Sequence, residues 1–125
     1  MIQVSKMIII NSLKEDLERI NKNIEMYESK IAKKADQFAK DAYDSGLDGV
    51  VCSAYESKSI KNITSKKFMT LTPGIRPFGE DAQDQQRVAD VAFAKNADVD
   101  FIVVGRPIYK SDNPTLIVEK ILEQL

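Results

Sequence analysis

With 125 residues, 43% of them hydrophobic and 30% charged, the chain has the make-up of one soluble globular domain, residues 1–125, able to bury roughly two thirds of its unfolded surface. A formal net charge of −1 leaves no positive field for nucleic acid or an anionic membrane, and no apolar run approaches the ~18 residues of a membrane span. The lack of histidine and the single cysteine, Cys52, exclude Ser-His and Cys-His nucleophiles, histidine or cysteine-cluster metal sites and disulfides within one chain. No metal or other cofactor is expected, and any chemistry falls to Lys, Asp, Glu, Arg and backbone groups.

The opening Met-Ile-Gln-Val-Ser-Lys-Met has no signal-peptide pattern, so the cytoplasm is the expected location. Met7 to Ile10 is a short apolar run that predicts a strand. Ser12-Leu-Lys-Glu15 fits a capping box, in which Ser12 takes a free helix N–H and Glu15 reaches back. From there Leu13, Leu17, Ile20, Ile24, Tyr27 and Ile31 recur at spacings of three and four, continued by Ala35, Phe38 and Ala42. This predicts one long amphipathic helix, or two in sequence, ending near Ser45-Gly46, where glycine suits the position after a helix. A helix packed on a sheet is the plainer reading. A coiled coil is the sharper one, though the flanking positions lack regular charge pairing.

Gly49-Val-Val-Cys52 predicts a strand buried on both faces. A short helix over Glu56 to Ile63 follows, then a buried strand, Phe68-Met-Thr-Leu71, broken at Pro73-Gly74. After a polar loop, a helix is predicted from about Gln83 to Lys95 with Val88, Val91 and Ala92 inward. Phe101-Ile-Val-Val104 is the clearest strand. Asp112-Asn113-Pro114 starts the last helix, with proline at its first position and Leu116, Ile117, Ile121, Leu122 and Leu125 inward. The order is strand then helix four times, which implies a parallel α/β sheet of right-handed units.

Two stretches carry the chemistry. Leu71-Thr-Pro-Gly-Ile-Arg76 and Ile102-Val-Val-Gly105-Arg106 each break an apolar run at a glycine and deliver an arginine. Glycine lets backbone N–H groups approach an anion, and arginine adds a fork of donors, which together suit a phosphate at the carboxyl ends of adjacent parallel strands. Arg76 and Gln85 flank a loop, Pro77 to Asp84, that could close over a ligand; a solvated acidic loop would look the same. Cys52 and Ser53 lie just after a strand, but nothing nearby depresses the thiol pKa, so Cys52 reads as a small core residue.

Gly46-Leu-Asp-Gly-Val-Val-Cys-Ser53, Leu71-Thr-Pro-Gly-Ile-Arg-Pro77, Asp84-Gln85 with Arg87, and Val104-Gly-Arg-Pro-Ile108 resemble the bacterial branch of the orotidine 5′-phosphate decarboxylases. The match is close from about Asp44 to the C-terminus and looser from Met7 to Tyr43, where Ile10-Asn11-Ser12-Leu13 resembles the end of the family's fifth strand. The resemblance implies four consecutive βα units, strands five to eight of a TIM (β/α)₈ barrel. It also implies a lyase of pyrimidine biosynthesis that converts orotidine 5′-phosphate to UMP. Arg76, Gln85 and Arg106, with the backbone of Gly105, would hold the substrate phosphate, and Ser12 would contact the pyrimidine ring.

The departure from the family is large. The Asp-x-Lys-x-x-Asp motif that supplies most of the family's Lys-Asp-Lys-Asp array is absent, and a barrel of this type needs about 250 residues. No catalytic residue is therefore assigned, and the chain alone is not expected to turn over substrate. The expected partners are a nucleotide monophosphate and either further copies of the chain or a complementary N-terminal half. A non-catalytic phosphate or nucleotide binder and a helix-mediated oligomerisation module are the alternatives.

Overall fold

Ile2–Asp44 contains neither glycine nor proline, and in the computed structural model, which describes residues 2–79 and 87–125, it forms one helix of 43 residues, α1. Met7–Ile10 lies inside α1, so the strand expected there is a helix. A four-residue apolar run carries no period of its own, and here it is continuous with strong helix formers with no breaker between. Ser12 is accordingly interior to α1 and not a helix start. The helix stops where glycine allows it. Gly46 has φ +82°, Gly46 N–H donates to Tyr43 O (3.0 Å) and Leu47 N–H to Ala42 O (3.1 Å), the paired bonds of a Schellman cap.

The chain divides into two compact units, Met1–Lys34 and Ala35–Leu125. The first lies within α1, and its apolar stripe is exposed along its length, from Leu13 through Leu17, Ile20, Ile24 and Tyr27 to Ile31.

The second unit begins with the last turns of α1 and continues through β1 (Gly49–Val51), α2 (Ala54–Ile63), β2 (Met69–Thr72), α3 (Val91–Asn96), β3 (Phe101–Ile102), α4 (Arg106–Tyr109) and α5 (Pro114–Leu122). The three strands form a parallel sheet in the order β1-β2-β3, with Val51 beside Leu71 and Leu71 beside Phe101. The described sheet thus has three strands where four units were expected.

Several boundaries move for local reasons. Helix α2 starts at Ala54 because Ser53, not Glu56, is its cap, with Ser53 and Glu56 forming a reciprocal capping box. The expected start of the third helix at Gln83 lies outside the described residues. Within them the helix begins at Val91, where the Asp90 carboxylate caps Phe93 N–H at 2.7 Å. That later start buries Val91 and Ala94 and leaves Ala92 exposed. Strand β3 ends at Ile102, two residues early. Asn113 and Pro114 open α5 as expected, with the Asn113 side chain accepting from Leu116 N–H at 3.2 Å. Of the face assigned to α5, Ile121 is buried and Ile117 half-buried, whereas Leu116, Leu122 and Leu125 are exposed.

Two apolar clusters hold the unit. Ala39, Ile60 and Phe68 pack with Ala42, Val50 and Cys52, and Tyr43 meets Phe68 edge to face at 5.4 Å. Phe38 is exposed and Ala39 takes the inward place. Ile75, Val91, Ala94 and Ile121 form the second cluster. The sheet alternates where burial on both faces was expected: Thr70 and Thr72 are buried, while the in-register row Val51, Leu71 and Phe101 is 70%, 38% and 53% exposed. The strands are therefore covered on one face, not both. The buried hydroxyl of Thr70 is satisfied by Ser57 Oγ at 2.9 Å, as burial of a polar group requires.

Candidate functional site

The site is built by two chain exits. Strand β2 runs out through Thr72, and Gly74 turns the chain with φ +78°, a conformation that costs glycine little. Ile75 then forms an isolated parallel bridge to Ala89, with Arg76 N–H donating to Ala89 O at 2.8 Å and Ala89 N–H to Gly74 O at 3.2 Å. This short ladder fixes the backbone of Arg76, whose side chain is 5% exposed. Strand β3 runs out beside it, tied by Val103 N–H to Thr72 O at 2.8 Å, and leads through Val104 to Gly105 and Arg106. Gly105 caps α4, its carbonyl accepting from Ile108 N–H (2.9 Å) and Tyr109 N–H (3.2 Å). Arg106 is half-buried.

Arg76 and Arg106 thus follow the carboxyl ends of two hydrogen-bonded parallel neighbours. Gln85 and most of the loop it anchors lie outside the described residues. Ser12 belongs to the first unit and is exposed in the interior of α1.

Gly105 has room for a side chain. Its φ is −103°, and an added Cβ would meet only Tyr109 Cε1, at 3.8 Å. Gly49 is the opposite case: an added Cβ would stand 2.3 Å from Met69 O in the neighbouring strand.

Beside β1, Cys52 N–H donates to Leu71 O at 3.1 Å. Burial pushes its thiol pKa up. A thiol held protonated is a poor nucleophile. The sequence also left two polar groups unassigned. Arg87 donates to Glu56, and its guanidinium stacks 5.4 Å over the Tyr55 ring. Lys61 and Asp100 pair at 2.7 Å, and Asp100 also accepts from Thr70 N–H at 2.8 Å. Ser53-x-x-Glu56 was a readable signal for the first; nothing local signals the second, whose partners lie 39 residues apart. A cleft of about 680 Å³ beside Lys58, Lys61, Lys66, Lys95 and Asp100 opens where the chain enters β2 and β3, away from the residues that follow these strands.

Comparison with known proteins gives a consistent picture. The profile of the Orotidine 5'-phosphate decarboxylase / HUMPS family matches residues 6–121. Over 100 residues the chain is 78% identical to an orotidine 5'-phosphate decarboxylase of Sulfurimonas denitrificans and 67% identical to one of a Nitratiruptor species. Each alignment takes in 80% of this chain and 44% of the relative, so the chain spans less than half the length of these relatives. Among solved structures, it is similar to the orotidine 5'-phosphate decarboxylase of Lactobacillus acidophilus, with a TM-score of 0.62 and 37% identity over 75% of this chain and 37% of that one.

Proposed function

Because the chain belongs to the Orotidine 5'-phosphate decarboxylase / HUMPS family, we propose that it carries the part of such an enzyme that grips the phosphate of a nucleoside monophosphate, orotidine 5′-phosphate or UMP. In this reading β1 to β3 are neighbouring strands of a (β/α)₈ barrel. Arg76 and Arg106 bind the phosphate by charge-assisted bonds, Gly105 offers its backbone N–H, and Gln85 adds a donor from the loop between them. The observation that carries the reading is the placement of Arg76 and Arg106 just beyond β2 and β3, which are paired in register at Leu71–Phe101 and Thr72–Ile102. The uncovered row Val51, Leu71 and Phe101 supports it as well, since inward-facing apolar side chains fill the interior of such a barrel.

The same reading separates binding from turnover. Loss of the ring carboxyl group leaves negative charge on carbon, and a preorganised charged array with a lysine to deliver a proton is what stabilises it. With the Asp-x-Lys-x-x-Asp spacing absent, this chain supplies the remote phosphate handle, whose binding energy helps the transition state only when the rest of the site is present. The chain by itself then binds UMP and does not release carbon dioxide from orotidine 5′-phosphate.

Calorimetric titration of UMP into the purified chain tests this directly. Arg106→Ala is expected to weaken binding roughly 10- to 100-fold, the range for bonds to a charged group. No heat with the folded wild-type chain, or equal affinity in the variant, would overturn the phosphate assignment; steady-state decarboxylation by the chain alone would overturn the second half.

A further inference from the structure

The exposed stripe on the first unit has a register written into its flanks. Ile10, Leu17, Ile24 and Ile31 take the a positions of a heptad and Leu13, Ile20 and Tyr27 the d positions, and all seven are at least 49% exposed. Such a face, about 30 Å long, is stable in water only when covered. The e positions are then Lys14, Asn21 and Glu28, and the g positions Asp16, Asn23 and Lys30.

We propose that this face pairs with the same face of a second copy of the chain, antiparallel, about a two-fold axis at residue 22. With the axis there, a residues face d residues in six apolar layers: Leu13 against Ile31, Leu17 against Tyr27, Ile20 against Ile24, and the three symmetry mates. In an antiparallel pair e positions flank e positions and g positions flank g positions. Lys14 of one copy then meets Glu28 of the other, and Asp16 meets Lys30. Asn21 meets Asn21 and Asn23 meets Asn23, amides that can both donate and accept. Every flanking pair is complementary.

The alternatives lack this. Two parallel copies set g against the e of the next heptad, placing Asp16 against Asn21 and Asn23 against Glu28, with no opposite charges. Sliding the antiparallel pair by one heptad keeps six apolar layers but sets Lys14 against Asn21 and Asp16 against Asn23. Charge on the flanks selects orientation and register in such pairs. Within one copy Asp16 already touches Arg19 at 2.9 Å, both side chains more than half exposed, and Lys30 lies 5.6 Å from the Tyr27 ring. Lys14 and Glu28 are therefore the cleaner probe. The proposal is independent of the phosphate site.

Sedimentation equilibrium on the full chain, on Lys14→Glu, on Glu28→Lys and on the double exchange gives the test. The wild type is expected to be a dimer. Each single exchange creates two like-charged pairs per dimer and should raise the dissociation constant roughly tenfold, and the double exchange should restore it. A second measurement leaves the interface intact: spin labels at Asn11→Cys, in a Cys52→Ser background, should lie about 30 Å apart in the antiparallel dimer and much closer in a parallel one. A monomeric wild type, a dimer indifferent to both single exchanges, failure of the double exchange to restore pairing, or closely spaced labels would each overturn the proposal. So would a stripe that is covered only when a different polypeptide is added.

Discussion

Glu56 and Arg87, 31 positions apart in the chain, meet through a carboxylate whose two oxygens have different duties. Oε2 accepts the backbone N–H of Ser53 at 2.9 Å and closes the capping box of α2. Oε1 accepts from the Arg87 guanidinium, which also lies over the Tyr55 ring. The Tyr55 hydroxyl in turn donates to Val88 O at 3.0 Å. A helix start is thereby fastened to the segment that leads into the Ile75–Ala89 bridge, and so to the backbone of Arg76.

Removing the guanidinium strands a carboxylate that is 6% exposed. Arg87→Ala is expected to destabilise the fold by about 1–3 kcal/mol, below the cost of breaking a fully buried pair because the arginine side is part-solvated. Glu56→Ala loses the cap as well and should cost more, about 1 kcal/mol further. Urea unfolding of the two variants and their double mutant checks this. The double mutant should fall short of the sum of the singles, since the pair is lost once; strict additivity would show that the two side chains do not interact.

How much of this was legible in the sequence depends on how local the cause is. Gly46, Asn113-Pro114 and the break at Gly74 act through their own backbones, and the sequence reading placed them correctly. The pattern Ser-x-x-Glu occurs at Ser12 and at Ser53 but caps only at Ser53. A strand ends just before Ser53, whereas Ser12 continues a run already committed to helix. The Met7–Ile10 strand failed for the same reason. Burial of Thr70 and Thr72 in place of Met69 and Leu71 was not readable, because it depends on which sheet face the helices cover and on Ser57 and Asp100 arriving as partners. For the candidate site, the sequence supplied Arg76, Gly105 and Arg106, and topology brought their strands side by side.

Asp100 gives the fold an acid-sensitive joint. Burial tends to raise the pKa of its carboxyl, but the Lys61 ammonium and the N–H and hydroxyl of Thr70 outweigh burial and hold it below its ordinary 3.8. A carboxyl whose folded pKa lies below its unfolded one stabilises the fold above the unfolded value and loses that contribution as pH falls through the folded value. The wild type should therefore exceed Asp100→Asn in stability at neutral pH, and the gap should close as pH falls below about 3.8. Urea midpoints for both proteins at several pH values between neutrality and pH 2 provide the measurement. A gap that stays constant across this range would mean the charge of Asp100 is not what the joint uses.

Two glycines separate folding from binding. At Gly49 an added methyl group would sit 2.3 Å from Met69 O, so β1 and β2 must move apart, and Gly49→Ala should lower stability by roughly 1–3 kcal/mol, the range for overpacking. At Gly105 an added methyl group finds only the edge of the Tyr109 ring, at ordinary contact distance, and φ is negative. Gly105→Ala should leave the thermal midpoint within a degree or two of the wild type, because a surface change that breaks no bond moves stability by less than about 0.5 kcal/mol. If the backbone N–H at this position approaches a phosphate, however, the methyl group stands where the anion must come close, and UMP affinity should fall by about tenfold or more. Thermal scans and titrations on the two alanine variants distinguish the roles. Unchanged UMP binding in Gly105→Ala would remove the glycine from the phosphate site and leave its binding to Arg76, Gln85 and Arg106.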